Sequence, residues 1–226
     1  MTHVFEQEMN ELKEKLLTMA SQAESATSRA IQALVERDDD LARRVQEDDA
    51  VLDRFEVEVD ETSIGLLAKA PLASDLRLIA VAMKISQNLE RVGDEATKIA
   101  RRSIDLSQEP QLKPYVDIPR MATMALSMLK EALDAFVNRN PEKARTIIPR
   151  DKEVDSVNKQ LHRELASFMV ENPATITRSL HLMVISKSLE RIADHAKNIA
   201  EQVVYLYEAR DIRHTAKAAA PNAPTA

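Results

Sequence analysis

Eight carboxylates stand in this chain as four pairs, each pair four residues apart: Asp49/Asp53, Glu90/Asp94, Asp151/Asp155 and Glu190/Asp194. On a helix that spacing puts both acids on one face, one turn apart. The pairs belong to a repeat. Glu90-Arg91, Asp94, Ile99 and Ala100 return 100 residues later as Glu190-Arg191, Asp194, Ile199 and Ala200. Earlier in each half the offset is 102: Val35, Arg37, Ala42 and Arg43 match Val137, Arg139, Ala144 and Arg145, and Asp49 and Asp53 match Asp151 and Asp155. The two-residue change falls near Pro71 and Pro173, where a loop absorbs it.

A hairpin brings the pairs together. If two antiparallel helices meet at a turn by Pro71, Asp53 stands level with Glu90, and Asp49 with Asp94. The same construction about Asn172-Pro173 levels Asp155 with Glu190 and Asp151 with Asp194. Each half then carries a quartet of carboxylates on its outer side, away from the apolar seam. Four clustered acids repel one another and raise their own pKa values unless a cation sits among them. Oxygen-only ligation suits Mg²⁺, Mn²⁺, Ca²⁺ or iron. The plainer reading is a solvated acidic face neutralised by Arg91, Lys98, Arg191 and Lys197. Next to the second quartet, Asp194-His195 could extend the site, where the first copy has Glu95; His195 and His181 alone read as surface hydrogen-bonding residues.

The elements that position these acids are helices. Only two glycines and 3% aromatic residues in 226 leave little for hairpin turns or strands. Apolar residues recur at 3-4 spacing through Ala82, Ile85, Leu89, Val92, Ala96 and Ile99 and, in the second copy, Leu182, Ile185, Leu189, Ile192, Ala196, Ile199, Val203 and Leu206. Val45, Leu52, Phe55, Val59 and Leu66, with Ile147, Val154, Val157, Leu161 and Phe168, repeat the pattern, and Met121, Met124 and Met128 read as core. Each copy therefore reads as three helices: 3–36, 41–69 and 74–107, then 115–138, 142–171 and 174–210. Ser74 is a candidate cap, and Pro141 suits a helix start. The architecture is all-α: two tandem three-helix bundles, residues 1–107 and 108–212, followed by a small, polar, proline-containing tail at 213–226 that reads as disordered.

Composition removes several classes. There is no cysteine, hence no disulfide or thiolate metal site. No basic leader precedes an apolar core at the N-terminus, and no run of eighteen apolar residues occurs, so a cytoplasmic protein is expected. A net charge of −6 disfavours nucleic acid as a partner. There is no Glu-x-x-His pair of a ferritin-like oxidase, no glycine-rich phosphate loop and no nucleophile motif, so no catalytic residues are assigned.

At "PLASDLRLIAVAMKISQNLERVGDEATKIARR" (71–102) and "NPATITRSLHLMVISKSLERIADHAKNIAEQ" (172–202) the sequence resembles the PhoU family of bacterial phosphate-uptake regulators, the proteobacterial members in particular. The likeness runs through both repeats. It implies two three-helix bundles and surface metal clusters, of iron or zinc, on Glu/Asp-x-x-x-Asp motifs that fall on the same eight acids. Many members carry Gly-Asp-His at the third-helix motif; here the copies read Gly93-Asp94-Glu95 and Ala193-Asp194-His195, each incomplete. The family role implied is a non-enzymatic negative regulator, a homodimer linking the ATPase subunit of a phosphate ABC transporter to the cytoplasmic part of a sensor histidine kinase, and reaching the membrane only through those partners. The alternatives are a metal-dependent helical enzyme or metal store using the same carboxylates, or a helical scaffold whose acids are simply solvated.

Overall fold

The computed structural model describes residues 2–70 and 72–212. These form eight α-helices and no strand: α1 Thr2–Glu36, α2 Asp39–Glu47, α3 Asp49–Leu67, α4 Ala73–Ser107, α5 Asp117–Val137, α6 Pro141–Ile147, α7 Asp151–Glu171 and α8 Ile176–Glu208. Helices α1 to α4 pack as one bundle and α5 to α8 as another. The two bundles meet mainly along α4 and α8, with a smaller contact of α1 on α5. The all-α tandem architecture expected from the periodicity is thus the one observed. Pro71 and the 213–226 tail lie outside the described residues.

The expected seams are the core. Ala82, Ile85, Leu89, Val92, Ala96 and Ile99 are fully buried, as are Ile185, Leu189, Ile192, Ala196 and Ile199 on α8. Burying one such Leu, Ile or Val side chain contributes about 1.5–3 kcal/mol before chain entropy is counted. Phe55, Phe168 and Met124 are only partly buried, packed against the edge of that core.

Two details differ from the sequence reading. What reads as one second helix in each half is broken. Asp48 separates α2 from α3, and a 3₁₀ turn at Ile148–Arg150, containing Pro149, separates α6 from α7. Proline cannot donate the next helical hydrogen bond, which explains the second break. Both breaks put an acid, Asp49 or Asp151, at the first position of the following helix. Ser74 is not a cap: α4 starts at Ala73, after Leu72 and without a side-chain cap. The working caps are Asp38, accepting from the Leu41 amide, and Asn140, accepting from the Lys143 amide. Pro141 does begin α6.

With so little glycine, arginine takes the left-handed position that ends two helices. Arg37 has φ 58° and Arg139 has φ 53°, positions usually given to glycine. The amides of Asp38 and Asn140 then bond back to the carbonyls of Ala33 and Ala135, closing both helix ends alike.

Gly93 is needed for close approach. It is helical, and a Cβ built there would lie 2.3 Å from Leu52 Cδ1 and 3.4 Å from Asp49 Oδ1. The second copy has Ala193 at that position and, at the position matching Leu52, Val154, both fully buried. One carbon has moved from one helix to its neighbour, and the combined volume is conserved. Gly93→Ala gains about 1 kcal/mol of helix propensity, but overpacking a filled core costs about 1–3 kcal/mol. Urea unfolding is expected to show a net loss of about 1 kcal/mol for Gly93→Ala. Adding Leu52→Val should return stability to within about 0.5 kcal/mol of the parent. Stabilisation by the single change would show that Leu52 yields freely.

Candidate functional site

In each half the four acids lie on neighbouring helices, α3 and α4 or α7 and α8, within electrostatic reach of one another. Asp53 and Asp94 act electrostatically on both Asp49 and Glu90. Asp155 and Asp194 act likewise on Asp151 and Glu190. The expectation of an open outer face holds for Asp53, which is exposed, and for Asp194, with 42% of its side chain exposed, but the other acids are half-buried or buried. Glu90 and Asp94 expose 17% and 32% of their side chains, while Asp151 and Glu190 expose only 12% and 10%. At Gly93 the close helix approach sets α4 directly beside Asp49 of α3.

That burial sets their protonation. Desolvation, joined by the neighbouring carboxylates, pushes Asp49 and Glu90 above the ordinary carboxylate values. Asp151 and Glu190 are also pushed up, chiefly by burial, even though Lys197 and Lys187 oppose the shift. The Oδ1 atom of Asp151 is buried without a hydrogen-bond partner among the described residues. A buried, unsatisfied carboxylate oxygen amid other acids is chemistry that a cation relieves.

The two quartets differ in what already opposes their charge. In the first, Arg91 reaches Glu90 and Asp94 at 3.3 Å from an exposed position, and Thr97 hydrogen-bonds to Asp49. In the second, the position of Thr97 holds Lys197. Its ammonium bridges Asp151 at 2.9 Å and Asp194 at 2.5 Å. Burial alone would lower the Lys197 pKa, but those two carboxylates raise it above the usual ammonium range. Lys187 pairs with Glu190 as well. The second quartet thus contains its own cation. Sequence reading named Lys197 as a surface counter-ion but missed Lys187; the i,i+3 spacings Lys187-Glu190 and Asp194-Lys197 were the available signal. Among the described residues no three His, Asp or Glu side chains form a ready-made metal-ligating group. A divalent ion held by these oxygens would need them to close in around it.

Lys98 and Arg191, the other expected counter-ions, do not serve the quartets. Both bind Glu95, at 2.9 and 3.2 Å. Glu95 is nearly buried where α4 crosses α8. Burial alone would raise its pKa, but hydrogen bonds from Lys98, Ser188 and Arg191 hold it below the ordinary value. The equivalent residue, His195, bonds Asn88 across the same crossing at 3.0 Å. Asn88 and Ser188 are themselves equivalent positions, so the crossing repeats one contact twice. Burial lowers the His195 pKa, leaving a neutral imidazole at pH 7. Neither Glu95 nor His195 therefore extends a quartet; they join the repeats. His181 lies 3.7 Å from Asp105, a surface pairing. Asp94 and Asp194, one from each quartet, line a common cleft of about 410 Å³ between the bundles, with Arg91 and Arg191.

A family model described as the PhoU domain matches residues 16–103 and 118–203. The chain belongs to the PhoU family. It is similar to the phosphate-specific transport system accessory protein PhoU homolog of Pseudomonas putida, with 41% identity over 93% of this chain and 83% of that protein. The accessory protein PhoU of Escherichia coli is 35% identical over 93% of this chain and 88% of its own. The crystal structure of PhoU from Pseudomonas aeruginosa superposes with a TM-score of 0.88 at 39% identity, covering 91% of this chain and all of that one. That of the phosphate transport system regulatory protein PhoU from Streptococcus pneumoniae gives 0.86 at 28% identity, covering 92% and 99%.

In this PhoU chain the charged forms of Asp49, Glu90, Asp151 and Glu190 are disfavoured by folding. Their contribution to stability is full below the unfolded-state values of about 4 and is lost as the pH rises through the raised native values. Glu90→Gln should therefore raise the urea midpoint of chelator-treated protein at pH 7, with the gain shrinking as the pH falls towards 4. A lower midpoint at pH 7 would mean that Arg91 outweighs desolvation and repulsion.

Proposed function

We propose that this protein is a non-enzymatic regulator of phosphate transport and of the phosphate-starvation response. It acts from the cytoplasm as a homodimeric adaptor between the ATPase subunit of a phosphate ABC transporter and the cytoplasmic region of a sensor histidine kinase. Likeness over nine-tenths of the chain to proteins named as accessory and regulatory components of phosphate transport carries this reading. It is supported by the lack, among the described residues, of any helix long and apolar enough to cross a membrane, which leaves membrane proximity to partners. When phosphate is plentiful, the adaptor restrains both uptake and kinase output. In a deletion strain, a phosphate-controlled phosphatase reporter should be on in phosphate-rich medium, and the tagged protein should retain both partners in a pull-down. Normal repression without the protein, together with no retention of either partner, overturns the proposal.

The carboxylate quartets serve in this reading as divalent-cation sites that stiffen the helix hairpins, with iron, zinc, manganese or magnesium as candidate ions. The bound ion would supply positive charge among the acids and so draw α3 to α4 and α7 to α8. Asp49, Asp53, Glu90 and Asp94 form the more receptive site, because Thr97 brings no charge where Lys197 fills the second. Metal analysis after dialysis against each ion should give Lys197→Met more bound metal than the parent, and Asp94→Ala less. Equal content in all three proteins would remove the quartets as the binding sites. Metal-dependent turnover of a phosphoester by the parent would instead favour an enzyme built on the same carboxylates.

A further inference from the structure

Away from the quartets, the end of α5 meets α1 and the end of α8 around a cavity of about 280 Å³ lined by Asn10, Lys13, Glu14, Leu17, Arg139 and Tyr207, among others. Two cations converge there. Neither the Lys13 ammonium nor the Arg139 guanidinium has a hydrogen-bonding or ion-pairing partner among the described residues. Burial and the neighbouring Arg139 charge together lower the Lys13 pKa. Lys13 is half-buried and Arg139 exposed, with Glu14 the one carboxylate in the lining, so the corner carries an excess of positive charge that an anion would meet.

The internal repeat provides the comparison. At the 102-residue offset, Arg139 corresponds to Arg37 and Lys13 to Tyr115. In the first copy the Arg37 guanidinium is satisfied: it donates to the carbonyl oxygens of Ser107 and Glu109, at 2.6 and 2.7 Å, at the end of α4. The group beside it is Tyr115, on which the Arg37 charge acts. In the second copy the arginine keeps its left-handed backbone but makes no such bonds, and a lysine replaces the tyrosine. The hydroxyl of Tyr207 donates to the Phe136 carbonyl at 2.9 Å, fixing its ring in the wall. One copy thus uses this corner to close a helix end, while the other leaves two free cations over an apolar wall.

We propose that this corner binds a small phosphate monoester, its phosphoryl group between Lys13 and Arg139 and its body against Leu17 and Tyr207. A phosphate monoester carries a charge of about −1.5 to −2 at pH 7, matching two cations where a carboxylate would match one. Arginine suits phosphoryl oxygens through its planar fork of donors, and lysine as a point charge. Glu14 adds one carboxylate to the lining, so the dianion sits on the Lys13–Arg139 side. The space equals roughly nine waters, more than a bare phosphate fills, and the apolar wall gives the rest of the ligand a place.

Calorimetric titration of the full-length, chelator-treated protein in metal-free buffer tests this, since chelation removes any ion that could bind phosphate at the quartets. The probes are adenosine monophosphate and glucose 6-phosphate, against adenosine and inorganic phosphate. At least one ester should bind, more tightly than adenosine or inorganic phosphate. Lys13→Gln and Arg139→Gln should each weaken it at least tenfold, with unchanged thermal melts showing that both variants fold. The proposal is overturned if neither ester binds, if neither variant weakens binding, or if adenosine or inorganic phosphate binds as tightly as the ester.

Discussion

At Gly93 the backbone of α4 comes so near α3 that one added methyl group would overlap Leu52. Much else follows from that approach. It brings the first-turn acid of α3, Asp49, against α4, where partial burial raises the pKa values of Asp49 and Glu90. The second bundle reaches a similar packing with Ala193 and Val154, trading one carbon across the helix pair. Packing density is the quantity held constant, because a filled core accommodates neither an extra methyl nor a void without loss. The acids are thus carried by a steric constraint that they do not themselves create.

Desolvation then decides the chemistry. Carboxylates one turn apart on an open helix would be ordinary surface charges, each worth little. Held in a groove with a second pair facing them, four of the eight have raised pKa values. The bundles answer this differently. The first leaves its quartet to an exposed arginine and a neutral threonine, whereas the second places Lys197 among the acids. A duplicated frame has diverged in charge while its apolar seam stayed fixed, since seam positions are constrained by packing and groove positions only by electrostatics.

The crossing of α4 on α8 shows the same division. Repeated positions contact each other across it, Glu95 with Ser188 and His195 with Asn88. One gives a hydroxyl to a charged carboxylate and the other is neutral, yet both satisfy polar groups that burial would otherwise make costly. The positive residues Lys98 and Arg191 are fixed here by Glu95 and are not available to the quartets.

The sequence by itself determined the helical class, the duplication, the seam residues and the placing of the acid pairs on neighbouring helices in each half. These follow from periodicity and from residue count about a turn, both of which are local or one-dimensional. Only the tertiary structure decided how deeply the acids lie, which cations meet them, and that the second helix of each half breaks just before Asp49 and Asp151. Side-chain burial and charge pairing depend on where neighbouring helices sit to within an ångström or two, and sequence spacing carries no such distance. Arg37 and Arg139 make the point. They share a repeat position and a left-handed backbone, yet one closes a helix end and the other stands free beside Lys13, because the partners they face come from helices a hundred residues apart in sequence.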